Sequence, residues 1–448
     1  MKTTSRQTRR RFPPQTEAPS VYKKTTLPNG LRVVTEKISH VRSASVGVWV
    51  DVGSRDEDPS LNGITHFIEH MVFKGTKKRS LREISRSIES VGGYMNAFTS
   101  KEHTCFYARV LDEHARLALD VLSDLTLNAL FPEKDVEKEK GVVIEELRNA
   151  EDDPDDIIHD YFEKSLYGSH PMGFPVIGTE NNLRSFHRND LLKYRKKHYV
   201  PGGMVIAAAG NIEHDEVVDL AGSLFPLGVG KSEQRVRKKP MGRPGQKVEI
   251  EKPIQQAHVC MGTVAFSIRS KQRYPMMVLN TLLGDGMSSR LFQNIRERYG
   301  FAYSVYSFVS LQSDTGSFGV YVGTDKTHVD ASMELVVKEL EGLKKKPVFA
   351  SELRRTKEQL KGSMMLSLES IPSRMMRLGS SELYFNELSP LDSIIRRIDA
   401  VTPDEIQALA SNLFKAEDFS RIVFLPSGRP QAAESGIALA AMKRERGL

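Results

Sequence analysis

The stretch His66-Phe67-Ile68-Glu69-His70 decides how the rest of the chain is read. Two histidines four residues apart share one face of a helix, one turn above the other. Glu69, three residues after His66 and next to His70, sends its carboxylate toward the same space. Imidazole pairs at this spacing grip Zn²⁺, and a carboxylate beside them can take a proton from water. The bland alternative is a surface helix with two histidines and an unrelated glutamate. Five residues alone do not separate the two.

H-x-x-E-H is the inverted form of the commoner zinc-peptidase signature. Two histidines leave tetrahedral zinc short of a third protein ligand and a water. The segment Glu139-Lys140-Gly141-Val142-Val143-Ile144-Glu145-Glu146 mixes apolar and acidic residues, as a helix does when it packs on a core and points carboxylates into a cleft. Glu139 and Glu146 lie seven apart, two turns along one helical face. Either could complete the set, and the alternative is a solvated charged helix.

At 448 residues the chain is too long for one core and implies at least two domains. Its composition, 39% hydrophobic and 27% charged, is that of a soluble globular protein. The net charge of +7 is spread thinly, without a Lys/Arg stripe interleaved with aromatics, so nucleic acid is not an expected partner. No apolar run approaches the roughly 20 residues of a membrane span. Cys105 and Cys260 each lie in an apolar strand-like run and read as small buried hydrophobes. Residues 1–20 are basic and hydroxyl-rich but lack the apolar core of a secretory signal, and Pro13-Pro14 interrupts any amphipathic presequence. The expectation is a disordered tail on a cytoplasmic protein, with the mitochondrial matrix as the alternative compartment.

The order of elements begins twice. Strand patterns flank the turn Leu27-Pro28-Asn29-Gly30, a further strand surrounds Trp49, and helices are expected over the histidine motif and from Ser80 to Ser90. Gly92-Gly93 then opens a strand from Tyr94 to Ser100. After the Gly/Pro/Lys/Arg-rich run from Leu227 to Gln246, a strand over Ala257 to Phe266, helices over Tyr274 to Leu283 and Arg290 to Arg298, and a strand from Ala302 repeat that order. Ile88–Tyr94 overlies Ile295–Phe301 at an offset of 207 residues, which puts Arg273, Met276 and Met277 over His66, Glu69 and His70. Phe131-Pro132 over Phe349-Ala350, an offset of 218, puts Lys357 and Met364 over Glu139 and Glu146. The second copy has lost every proposed ligand. The fold class is therefore α+β: two similar domains from an internal duplication, each a mostly antiparallel sheet packed against helices. The boundaries are a tail over 1–21, a zinc-binding catalytic domain over 22–227, a linker over 228–246, an inactive copy over 247–430 and a tail over 431–448.

With these motifs the chain resembles the pitrilysin-family (inverzincin) metallopeptidases, in the branch of the mitochondrial processing peptidase β subunit and its bacterial relatives. The resemblance runs from Leu27 to Ser427. It implies a third zinc ligand 76 residues after the second histidine, which is Glu146, and a supporting glutamate at Glu139. It implies that Glu69 moves the proton. It also implies an edge strand with Asn96 and Ala97 that pairs with the substrate backbone, where the structural alternative is an ordinary core strand. Arg296 and Tyr303 correspond to an Arg/Tyr pair facing the scissile carbonyl. Asp156 and Asp160 correspond to acids that recognise a substrate arginine, although the cluster Glu151–Asp156 reads equally as a solvated loop. The stretch Leu283–Ser289 is short and not glycine-dominated, unlike the glycine-rich loop of the non-catalytic processing subunit. The activity implied is zinc-dependent cleavage of unfolded or extended peptides inside a closed chamber. Four such domains close that chamber, so a two-domain chain implies a homodimer or a heterodimer with a related subunit. The alternative is a non-catalytic scaffold subunit of the same fold.

Overall fold

The computed structural model describes residues 21–226, 237–243 and 245–427, so the expected tails, apart from Val21 at the start of the first strand, and about half of the expected linker lie outside the described residues. The first half opens with the hairpin β1 (Val21–Thr26) and β2 (Arg32–Lys37), followed by β3 (Ser43–Val50), α1 (Ile64–Met71) and α2 (Leu81–Glu89). It continues through β4 (Tyr94–Thr99), β5 (Thr104–Leu111), α3 (Ala115–Asn128) and α4 (Glu133–Asp152). Helices α5 (Pro154–Tyr167), α6 (Glu180–Ser185) and α7 (Arg188–His198) lead to β6 (Met204–Gly210) and α8 (His214–Leu224).

The second half runs β7 (Lys247–Lys252), β8 (Ala257–Ala265), α9 (Arg273–Gly284), a π-helical segment Phe292–Glu297, β9 (Ala302–Leu311) and β10 (Gly316–Thr324). It ends with α10 (Val329–Lys345), α11 (Ala350–Ser367), α12 (Ile371–Phe385), α13 (Leu391–Ala400), α14 (Pro403–Leu413) and β11 (Ser420–Pro426).

The sheet orders are β1-β2-β6-β3-β5-β4 and β7-β11-β8-β10-β9. Past β1 the two orders correspond strand for strand, each with one parallel pair, β2–β6 and β7–β11, in an otherwise antiparallel ladder. This is the duplication expected from the repeat. Helices α4 and α11 start 217 residues apart, one less than the sequence offset, which places Thr356 and Ser363 over Glu139 and Glu146. In either register the second copy has no ligand.

The central strands of each sheet are buried on both faces, and their alternate residues serve different cores. Met204, Ile206 and Ala208 of β6 enter the first half's own core under α1, α3 and α8. Val205, Ala207 and Ala209 face the other way, against Ile371, Met375 and Leu378 of α12, a helix of the second half. The reverse exchange covers the second sheet: Ile157, Ile158, Phe162 and Leu166 of α5 pack on Cys260, Tyr321, Ile422 and Phe424. Each half therefore lends one helix to the outer face of the other half's sheet. Both cysteines are free and buried, as expected. Among the described residues no helix is long and apolar enough to cross a membrane.

One local expectation and one alternative reading are corrected. The helix over Arg290 to Arg298 is π-helical from Phe292 to Glu297. The acidic run Glu151–Asp156 is not a loop: α4 extends to Asp152, Asp153 caps α5 through the Asp155 amide, and Pro154 occupies the first turn.

Candidate metal centre

Helix α1 is set by what precedes it. Gly63 adopts φ 100, and a Cβ there would lie 2.6 Å from the Ile177 carbonyl oxygen, so glycine is required on two counts. Its free amides are met by Glu57, whose buried carboxylate accepts from the Gly63 and Thr65 amides, both at 2.8 Å, and from Asn62 Nδ2 at 3.0 Å. Burial pushes the Glu57 carboxyl up to about 7 in spite of these donors. Ile64, Phe67, Ile68 and Met71 go into the core, which turns His66, Glu69 and His70 to the opposite face.

Helix α4 is aimed by its entry and its apolar face. Phe131, buried and held at φ 48 beneath the Arg195 guanidinium, precedes Pro132 at the N-cap. Val136, Val143, Ile144 and Leu147 then pack on the core. The flank of that face carries Glu139 and Glu146 to the α1 histidines.

There the side chains converge. His66 Nε2 lies 3.7 Å and His70 Nε2 lies 3.4 Å from the two Glu146 carboxylate oxygens, and ligand atoms from the three residues all fall within 4.8 Å of one another. Ligands about 2.05 Å from a tetrahedral ion would be about 3.3 Å apart, so the spacing suits a zinc-sized cation. His70 Nδ1 lies 3.0 Å from Glu139 Oε1, and Glu139 Oε2 lies 2.6 Å from Lys74 Nζ. Glu139 is only 3% exposed. Burial alone would raise its carboxyl, but the His70 and Lys74 partners outweigh it and hold the group below the usual carboxylate range. His66 is pushed down to about 4, first by burial and second by His70, and is therefore a neutral imidazole at neutral pH. Glu69 accepts a hydrogen bond from Thr99 Oγ1 at 2.5 Å. Its carboxyl is raised, first by burial, with Glu146 adding to the effect and Thr99 and His70 opposing it.

The other candidates are placed as follows. β4 is the edge strand of its sheet, with Asn96 and Ala97 midway along it. The Ala97 amide donates to Asn96 Oδ1 at 2.8 Å, and Asn96 Nδ2 donates to Tyr94 Oη at 2.7 Å. Arg296 stacks over the rings of Phe292 and Tyr303, and Tyr303 is 74% exposed. Among the described residues, neither Arg296 nor Tyr303 has a hydrogen bond or ion pair to the α1–α4 cluster. Asp156 and Asp160 lie one turn apart on α5; Asp156 is exposed, whereas burial raises the Asp160 carboxyl against the pull of Lys101. Lys74, Glu57 and Thr99 were not foreseen. Only Thr99 had a signal, a hydroxyl closing the strand run that starts at Tyr94.

A family model described as insulinase (peptidase family M16) matches residues 32–180, and one described as the peptidase M16 inactive domain matches residues 185–360. The chain is 44% identical over 406 residues to the "Uncharacterized zinc protease YmxG" of Bacillus subtilis, covering 91% of this chain and 98% of that one. The chain belongs to peptidase family M16. A second relative, the "Uncharacterized zinc protease ML0855" of Mycobacterium leprae, is 42% identical over 394 residues, with 87% and 88% of the two chains covered. Among solved structures, a protease from Helicobacter pylori superposes with TM-score 0.85 at 23% identity, covering 91% of this chain and all of that one. At that identity it supports the M16 fold alone. The pitrilysin-type resemblance and the two-domain α+β fold are thus both established, and the inactive-domain match agrees with a second copy that has no ligands.

Proposed function

We propose that this M16 chain is a zinc-dependent endopeptidase for unfolded or extended peptides, with His66, His70 and Glu146 holding the metal. The supporting observation is the convergence of two imidazole Nε2 atoms and the Glu146 carboxylate within 4.8 Å, on the face of α1 that also carries Glu69. Zinc bound there supplies Lewis acidity toward a peptide carbonyl and makes a water molecule more acidic. Glu69 takes a proton onto a carboxylate oxygen and returns it to the departing amine; a carboxyl raised by burial is suited to both tasks. Glu139, braced by Lys74, keeps the proton of His70 on Nδ1 and leaves Nε2 free as a ligand.

The open edge of β4 offers its main chain to an extended peptide, and the Asn96 side chain yields the Ala97 amide to the incoming carbonyl. Arg296 and Tyr303 donate toward the developing oxyanion, and Asp156 and Asp160 take a basic side chain of the peptide. Two domains form half of a chamber, so the working form is a homodimer or a heterodimer with a related subunit. The relatives named above are bacterial proteins, and the compartment proposed for this chain is the cytoplasm.

The test is cleavage of an unfolded basic peptide by the purified protein, with and without chelator, alongside zinc analysis. Glu69→Gln should keep its zinc and lose about 10²- to 10⁴-fold in turnover. Normal turnover in that variant would remove Glu69 from the mechanism. A wild-type protein that binds no zinc and cleaves nothing would make the chain a scaffold of the same fold.

A further inference from the structure

The hydrogen bond from Thr99 to Glu69 sits at the end of a longer chain of contacts. Thr99 is the last residue of β4 and opens the turn to β5. That turn is gripped from several sides. Arg55 and Ser54 donate their amides to the Lys101 and Ser100 carbonyls at 2.9 and 3.1 Å. Lys101 Nζ pairs with Glu163 of α5 at 2.8 Å. Arg237, beyond the first half, donates to the Glu102 carbonyl at 2.7 Å and also pairs with Asp51 and Asp56.

The centre of the grip is Glu102, whose side chain is 1% exposed. It accepts from Arg55 Nη1 at 2.5 Å and, from the second half, the Ser313 amide at 2.8 Å and Ser313 Oγ at 2.5 Å. Arg55 in turn forks onto Asp314 at 2.8 and 3.1 Å. Ser313 and Asp314 lie in the β9–β10 turn, the counterpart in the second copy of the turn that holds Glu102. The two equivalent turns therefore meet through a desolvated ion network. Taking these charges out of water is costly, so the network is weak evidence of net stability and its value is sought in the geometry it fixes.

We infer that the ligand-free half fixes the position of Glu69: the Glu102–Arg55–Ser313–Asp314 clasp holds the turn, and Thr99, at the mouth of that turn, holds the carboxylate. Thr99 is thus a positioning residue, with no contact to substrate required. This role presupposes the metal site and base proposed above. A glutamate side chain has three rotatable bonds, whereas proton transfer demands a heavy-atom approach of about 2.6–3.2 Å. Misplacement by about 1 Å costs on the order of 100-fold in rate.

The experiment uses the full chain. Thr99→Val removes the donor at constant shape and should lower kcat by about 10- to 100-fold. KM should move less than about twofold and zinc content should stay at wild type, since uniform binding is untouched. Thr99→Ser should restore most of the loss. Ser313→Ala and Asp314→Asn should lower kcat in the same direction without further loss in combination with Thr99→Val, because they act through it. In the metal-free protein, Asp314→Asn should speed amide hydrogen exchange across residues 99–104. Full kcat in Thr99→Val beside an inactive Glu69→Gln overturns the positioning role while leaving the metal site standing. Multiplying effects of Thr99→Val and Asp314→Asn overturn the clasp. Normal turnover in Glu69→Gln overturns the reading on which both depend.

Discussion

If His70 holds the proposed metal, replacing Glu139 by glutamine separates that metal from the group that orients its ligand. In the native chain a buried carboxylate bridges His70 Nδ1 at 3.0 Å and Lys74 Nζ at 2.6 Å. Glutamine can still offer its carbonyl oxygen to the imidazole, but its amide then faces the Lys74 ammonium, donor against donor. A hydrogen bond with a charged partner is worth about 1.5–3 kcal/mol and a neutral one about 1, so the exchange costs His70 about 0.5–2 kcal/mol of orientation. That corresponds to about 2- to 30-fold in zinc affinity, overlapping the 10- to 100-fold typical of groups behind a metal ligand. Competition with a chromophoric chelator at fixed pH measures the affinity, and a melt of the metal-free protein measures the fold. Lys74→Met in the Glu139→Gln background should recover stability, because it removes the unpaired ammonium, yet leave zinc binding weak. Wild-type zinc affinity in a folded Glu139→Gln protein would refute the orienting role.

Glu57→Gln should destabilise the chain by about 1–3 kcal/mol in a urea titration, because one amide of Gly63 or Thr65 then meets a donor instead of an oxygen; an unchanged midpoint would show that water can serve in its place. His103 carries the pH prediction. Burial, acting before any charge, pushes it down to about 4 from an ordinary 6.5, so the unfolded chain takes up its proton first as pH falls. Stability present above pH 6.5 is therefore lost toward pH 4, by about 2 kcal/mol at pH 5. His103→Leu should show that much less loss between pH 7.5 and pH 5, and identical losses would place the acid sensitivity elsewhere. Gly379→Ala, within α12, decides between two effects of opposite sign. Helix propensity favours alanine by about 1 kcal/mol, but a Cβ there would sit 2.1 Å from Trp49 Cε2 in a packed core. Overpacking costs about 1–3 kcal/mol, so net destabilisation is expected, and a stabilised variant would mean that Trp49 moves freely.

The pairing of the two histidines and of the two glutamates on helical faces was legible because it is written in short periods, whereas the choice of Glu146 as the third ligand of the proposed metal centre was implied only by the family resemblance. Four residues between histidines and seven between glutamates are helical spacings, and helices α1 and α4 exist where those spacings require them. The strand at Tyr94–Thr99 was legible from the glycine pair before it, while its edge position was implied only by the family resemblance. What was not legible depends on partners remote in sequence. Nothing near Ile157 or Leu378 says that their helices cover the other half's sheet. The alanines of β6 are similarly mute until α12 is laid against them. Glu57 serves amides six and eight residues ahead from a short 3₁₀ connection without periodicity. The start of α5 is a different case, since Asp153-Pro154 is an ordinary N-cap and first-turn signal hidden by the acids around it.

The exchanged helices give the second half a structural role that needs no metal ligands. Burying Ile371, Met375 and Leu378 against the first sheet contributes about 1.5–3 kcal/mol per side chain, several kcal/mol in all. A folded domain keeps only about 5–15 kcal/mol in total, so a first half stripped of α12 would forfeit a large share of its margin. It would also expose Val34, Val205 and Trp49 on a sheet face built to be covered, and leave Glu102 without Ser313. These duties rest on apolar packing and on the turn-to-turn clasp, none of which needs a histidine at Arg273 or Met277. The second half therefore supports the first through a helix and a turn, with no ligand set of its own required.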